Sequence, residues 1–277
     1  MAQPIQLKLA PASGLDLGLV AEAGDPPAVL AAAAERSRRG VRGAMATVIE
    51  RHGSAPSTPG QKLWLGADRS CIGTVGGGAV EREIMDALVE MLDAPGAAHQ
   101  VRTFKLGAEL GMCCGGRVVV LLEPIEGLVP CLIVGGGHVA TAVAPLLAKV
   151  GFAVTVVDAR ETWGREGRIP GVTCVEGDYD DVGRDLDPSG AVLVMTHDHG
   201  LDQRAFEWAL SRGFAFVGGV GSRAKAQRTR DRLLAKGVRE ADVARVMMPL
   251  GVDIGARLPD ELAVSIAGAM VAWRRGR

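Results

Sequence analysis

The stretch that most restricts the fold is 130–158, where a short apolar run, a triple glycine, an amphipathic segment and a second apolar run follow one another. Residues 131–134 have the unbroken apolar character of a strand buried on both faces of a parallel sheet. Gly135, Gly137 and Ala140 then match G-x-G-x-x-[GA] where strand passes into helix. Gly135 suits a tight turn, Gly137 lets an anion approach backbone N–H groups, and Ala140 permits close helix–strand packing. Val139, Val143, Leu146 and Leu147 give a helix over 138–149 one apolar face, and Gly151 stops it. A strand over 154–157 delivers Asp158 at its carboxyl end, 23 residues after Gly135. That is near the roughly 20-residue offset at which an acid meets a ribose 2′-OH. The βαβ unit predicts a Rossmann-like parallel sheet. Its ligand stays open: NAD(P) with Asp158 on the ribose is one reading, and a turn needed only for helix packing is another.

A chain of 277 residues suits two domains, each burying its own core. We expect an α+β amino-terminal domain over 1–125 and the Rossmann-like domain over 126–277, with 123–130, a proline near each end, as linker. A net charge of −1 with 23% charged residues argues against nucleic-acid or membrane partners and favours small molecules or proteins. The amino terminus lacks the basic start and apolar core of a signal peptide, so the protein is expected to be cytoplasmic. Five cysteines then read as reduced thiols.

In the first half, Asp25-Pro26 starts a helix over 28–39, followed by strands at 44–49, 62–65, 71–75, 100–106 and 118–122. Gly76, Gly77 and Gly78 lead into a helix over 79–92, a second strand–glycine–helix junction, with anion binding and a purely conformational role both open. In the second half, strands at 172–175, 191–195, 214–217 and 246–248 alternate with helices at 202–212 and 224–236, and a final helix starts at Pro259. Ligands of open parallel sheets bind outside the carboxyl ends of the strands. Gly135, Gly136, Gly137 and His138, then Asp158, then His197, Asp198 and His199, then Gly221, Ser222 and Arg223 should therefore line one crevice.

Vicinal Cys113 and Cys114, in a loop with two glycines, match no common zinc spacing, and no metal site is expected. Exposed backbone in such a loop lowers a thiol pKa, while burial makes a thiol inert. Ser222 and Arg223 at a glycine-rich helix start suit an anion. No Ser-His-Asp set or carboxylate pair stands out, so an enzyme is not expected.

Several stretches resemble the XdhC/CoxI family of accessory proteins for molybdenum hydroxylases. They are His52-Gly53-Ser54-Ala55-Pro56, the run from Gly73 through Gly76-Gly77-Gly78 to Glu81, and Gly111-Met112-Cys113-Cys114-Gly115-Gly116. Val134 to Val139, Val194 to His199, Val220-Gly221-Ser222-Arg223 and Leu250 to Gly255 continue the match. The resemblance implies a chaperone that binds the molybdenum cofactor, a molybdopterin, and supports its sulfuration with a cysteine desulfurase. It implies delivery to xanthine dehydrogenase or a related hydroxylase, with homo-oligomerisation open. Some members carry cysteine after the triple glycine, where this chain has Ala79, which points to the xanthine-dehydrogenase branch. The rivals are an NAD(P)-dependent oxidoreductase and an assembly scaffold that holds no cofactor.

Overall fold

The computed structural model describes residues 25–94, 96–106 and 116–276. The chain forms two compact units, 1–128 and 129–277. Among the described residues, no helix is long and apolar enough to cross a membrane.

In the first unit, β1 (Gly43–His52), β2 (Lys62–Gly66), β3 (Cys71–Gly73), β4 (Gln100–Lys105) and β5 (Arg117–Ile125) form an antiparallel sheet in the order β3-β2-β1-β5-β4. The alternation of a strand explains how both faces are covered. Ala44, Ala46, Val48, Leu63 and Leu65 pack under α2 (Gly78–Asp93), which offers Val80, Ile84, Leu88 and Met91. Met45, Trp64 and Ile72, from the intervening positions, pack under Val29 and Ala33 of α1 (Pro26–Arg38). Asp25 caps α1 by accepting from the Ala28 N–H at 2.9 Å.

The second unit is a parallel sheet of β6 (Val129–Val134), β7 (Phe152–Asp158), β8 (Thr173–Glu176), β9 (Ala191–Val194), β10 (Phe216–Gly219) and β11 (Val246–Met247). Its order is β8-β7-β6-β9-β10-β11, a Rossmann arrangement in which chain direction across the sheet reverses between β6 and β9. One face carries α3 (His138–Lys149) and α9 (Pro259–Arg275), with Ala140, Val143 and Leu147 against Ile266 and Met270. The other carries α6 (His199–Ser211) and α7 (Arg223–Ala235), which bury Phe206 and Leu233. Short helices α4 (Glu161–Gly164), α5 (Tyr179–Val182) and α8 (Glu240–Ala244) fill connections to which no element was assigned from the sequence.

Most of the predicted linker is strand, because β5 runs to Ile125 and β6 begins at Val129. Each proline sits where a ladder bond is dispensable. Pro124 lies beyond Leu122, the last residue that β4 reaches, and Pro130 precedes Cys131, where pairing with β9 begins.

Candidate functional site

The site in the second unit is built where β6 turns into α3. Gly135 holds φ +100° and lies so close to the next strand that a Cβ would stand 2.9 Å from the Met195 carbonyl oxygen. A Cβ on Gly136 would stand 2.5 Å from the Trp163 carbonyl oxygen. Gly137 is different: its φ is −64° and a Cβ there would meet nothing within 4 Å. Gly137 is the N-cap of α3 and supplies no side-chain cap, so the N–H groups of the first turn receive no capping bond from it.

Around that terminus stands a cation–aromatic cluster that the sequence did not reveal. Trp163 lies under the Arg168 guanidinium, 4.4 Å from its ring centroid, and under that of Arg160 at 5.5 Å. His138 meets the same ring edge-on at 5.2 Å. Arg168 donates to the Gly136 carbonyl oxygen at 2.9 Å and to the Thr141 hydroxyl at 3.0 Å. Both acceptors are neutral, so the Arg168 charge adds to the positive end of the α3 dipole.

Asp158 sits at the carboxyl end of β7, as the spacing predicted, but its carboxylate is already engaged. Oδ2 accepts from the Gly136 N–H at 2.9 Å and from Arg160 Nη2 at 2.7 Å, and Oδ1 accepts from Arg160 Nε at 2.8 Å and the Arg160 N–H at 3.0 Å. Burial opposes its ionisation, and the bonds from Arg160 and Gly136 outweigh that and hold the carboxyl below its usual range. A lowered folded-state pKa gives stability that is complete above the unfolded value, about 3.9, and is lost as pH falls through the folded value. Acid titration should therefore show a loss of stability below about pH 4 that Asp158→Asn lacks. Parallel acid limbs in the two proteins would remove Asp158 from that role.

Gly135, Asp158, His197 and Asp198 line one cavity of about 100 Å³ at the carboxyl ends of β6, β7, β8 and β9, on the side where the sheet reverses. His197 is exposed at its rim. Asp198 caps α6 through the Gly200 N–H, and His199 is the first residue of that helix, which starts three residues before the predicted 202. Arg223 does not line this cavity; it is exposed and lies 3.3 Å from equally exposed Asp253, a pair of little energetic weight. Ser222 caps α7 by accepting from the Lys225 N–H, and Gly221 packs on the Lys225 side chain. Between the α6 and α7 starts lies an ion pair that no motif announced: the Nζ of half-buried Lys225 is 2.6 Å from buried Asp202, which also accepts from the Thr196 hydroxyl at 2.7 Å. A wider groove of about 790 Å³ follows the outer edge of β8 and contains none of the expected site residues.

In the first unit, Gly76, Gly77 and Gly78 all have positive φ, as a strand-to-helix turn requires. The turn is filled from within. Glu81 accepts from the Thr74 hydroxyl, the Val75 N–H at 3.0 Å and the Gly77 N–H at 3.1 Å. Of the three glycine N–H groups, that of Gly77 thus meets this carboxylate and that of Gly76 meets the Thr74 hydroxyl at 3.2 Å, and a glutamate one turn into the helix was the available signal. The 52–57 loop joins the turn: Ser57 donates to the Val75 carbonyl oxygen at 2.6 Å, and a Cβ on Gly116 would stand 2.6 Å from the Ser54 carbonyl oxygen. Cys113 and Cys114 lie outside the described residues. Of the other cysteines, Cys71 is pushed up to about 11 by burial and then by the Glu81 charge, and Cys131 to about 12 by burial alone. Both are packing thiols.

The model of the XdhC Rossmann domain matches residues 131–270, and that of the XdhC and CoxI family matches 37–105. The uncharacterized protein YqeB of Escherichia coli K12 is 34% identical over 231 residues, covering 80% of this chain and 42% of its own length. A probable xanthine dehydrogenase subunit of Bacillus subtilis 168 is 26% identical over 159 residues, covering 56% of this chain and 46% of its own. The chain thus spans less than half the length of these relatives. A crystal structure of a xanthine dehydrogenase from Bacillus halodurans shares the fold, with a TM-score of 0.50 at 18% identity, covering 92% of this chain and 97% of that one.

Proposed function

The chain belongs to the XdhC and CoxI family, and on that footing we propose that it is an accessory protein for a xanthine dehydrogenase or related molybdenum hydroxylase. It holds the molybdenum cofactor for sulfuration by a cysteine desulfurase and for transfer, and it turns over no substrate of its own. The observation that carries this reading is the pairing of the uncapped α3 terminus at Gly137 with Arg168, whose hydrogen-bond acceptors are both neutral. Together they suit the phosphate of a molybdopterin, which helix N–H groups and a guanidinium bind as a charge-assisted pair of partners. When bound, the cofactor supplies a molybdenum–sulfur centre, and the residues of this chain orient it by its phosphate. The nicotinamide rival is weakened by Asp158, whose four accepted hydrogen bonds leave it no ready lone pair for a ribose hydroxyl.

Titration of the purified chain with molybdopterin, and separately with NADH, tests this. Molybdopterin should be retained at near-unit stoichiometry, and Arg168→Ala should weaken retention about tenfold, the loss of one charged hydrogen-bonding group. Sustained substrate-dependent NADH oxidation, or failure to retain molybdopterin, would overturn the reading.

A further inference from the structure

The cavity beside the α3 terminus has a lining that selects for one kind of ring. At about 100 Å³ it is smaller than the roughly 300–1,000 Å³ of pockets that enclose a whole ligand, so it suits one planar ring system at the end of a larger molecule. Val134, Val157, Ala159 and Leu201 supply apolar surface. Three aspartates are among the lining residues, and their carboxylates differ in what they can still do. Asp158 is filled by Arg160 and Gly136, and Asp198 accepts from the Gly200 N–H. Asp178 stands at the N-cap of α5 yet its side chain makes no capping bond, and its carboxylate accepts no other hydrogen bond among the described residues.

We propose that this cavity receives the 2-amino-4-oxopyrimidine edge of a bicyclic heterocycle, a pterin or a guanine, with Asp178 accepting two parallel N–H bonds from it. An ionised carboxylate only accepts. Pterin and guanine place an amino group beside a ring N–H, so both donors meet its two oxygens as a guanidinium would. Adenine places an amino group beside a bare ring nitrogen, so one bond forms and one lone pair faces another. The Asp178 carboxylate therefore favours the first pair of rings and disfavours adenine. For pterin, this deepens the cofactor reading and rests on it: the ring enters the cavity while the phosphate lies at Gly137.

The test is equilibrium binding of pterin-6-carboxylate, GMP and AMP to the full chain and to Asp178→Asn, with molybdopterin retention measured in parallel. Asp178 is exposed and its carboxylate unbonded, so the substitution leaves the fold intact. In the unsubstituted chain, pterin or GMP should bind at least about tenfold tighter than AMP, one bidentate pair's worth of discrimination. Asp178→Asn should reverse that order, because an amide both donates and accepts and so matches adenine. Preference for pterin over GMP assigns the cavity to the cofactor's own ring, and preference for GMP assigns it to a guanine nucleotide. Tighter binding of AMP by the unsubstituted chain, or an unaltered order in Asp178→Asn, overturns the inference. Retention of molybdopterin without dependence on Asp178 sinks the pterin assignment and leaves the cofactor reading standing, whereas pterin binding without molybdopterin retention sinks only the cofactor reading.

Discussion

Replacing Asp202 with alanine is expected to destabilise the second unit by about 3 kcal/mol, the lower end of the range for removing one member of a buried ion pair, because Lys225 keeps some access to water. Asp202 is 3% exposed, and Lys225 Nζ lies 2.6 Å from it. Without the carboxylate, the ammonium keeps only the Val220 carbonyl oxygen at 3.3 Å among the described residues, the Thr196 N–H loses its acceptor, and the Thr196 hydroxyl is left with the Asp198 carbonyl oxygen at 3.0 Å. Asp202→Ala combined with Lys225→Met should recover much of the loss, since the stranded charge goes with its partner. Urea unfolding reports it through Trp163, Trp208 and Trp273, all in the second unit, with Trp64 of the first unit as a separate transition. A single mutant within about 1 kcal/mol of the parent, the scale of an exposed pair, would mean that the ion pair is solvated in solution.

The second large effect separates three adjacent glycines. Gly135→Val should cost about 3 kcal/mol or more, because a β-branched residue is forced to φ +100° with its Cβ against the Met195 carbonyl oxygen. The variant should lose both thermal stability and molybdopterin. Gly137→Ala should be nearly neutral in stability, since φ −64° is ordinary and the space is open. It should nonetheless weaken molybdopterin retention, because the new methyl group stands where a phosphate would approach. If Gly137→Ala retained the cofactor fully, the phosphate would have to bind elsewhere.

That contrast shows what was legible in the sequence. The glycine spacing, the 138–149 helix and the offset to Asp158 are local features, and they specify the βαβ unit because each is a periodicity or a turn requirement. The fate of the Asp158 carboxylate depends on how the chain bends after β7 to bring Arg160 back, which no spacing encodes. Arg160, Trp163 and Arg168 fall in a connection with no helical or strand period in its sequence, and they meet because α4 folds over the glycine turn. Helices of four or five residues such as α4, α5 and α8 are too short to display an apolar stripe. Pro124 and Pro130 misled for a related reason: a proline signals a break in a strand only where a neighbour needs its N–H.

Glu81 in the first unit gives the glycine turn there a further property. Because the carboxylate is tethered to the turn that binds it, it acts at an effective concentration on the order of millimolar or above. A dissolved anion competes on equal terms only when it reaches that concentration, so below it the 74–78 backbone keeps one shape where an exposed anion site would already respond to salt. The loop at 52–57, anchored to that backbone through Ser57, is held steady with it.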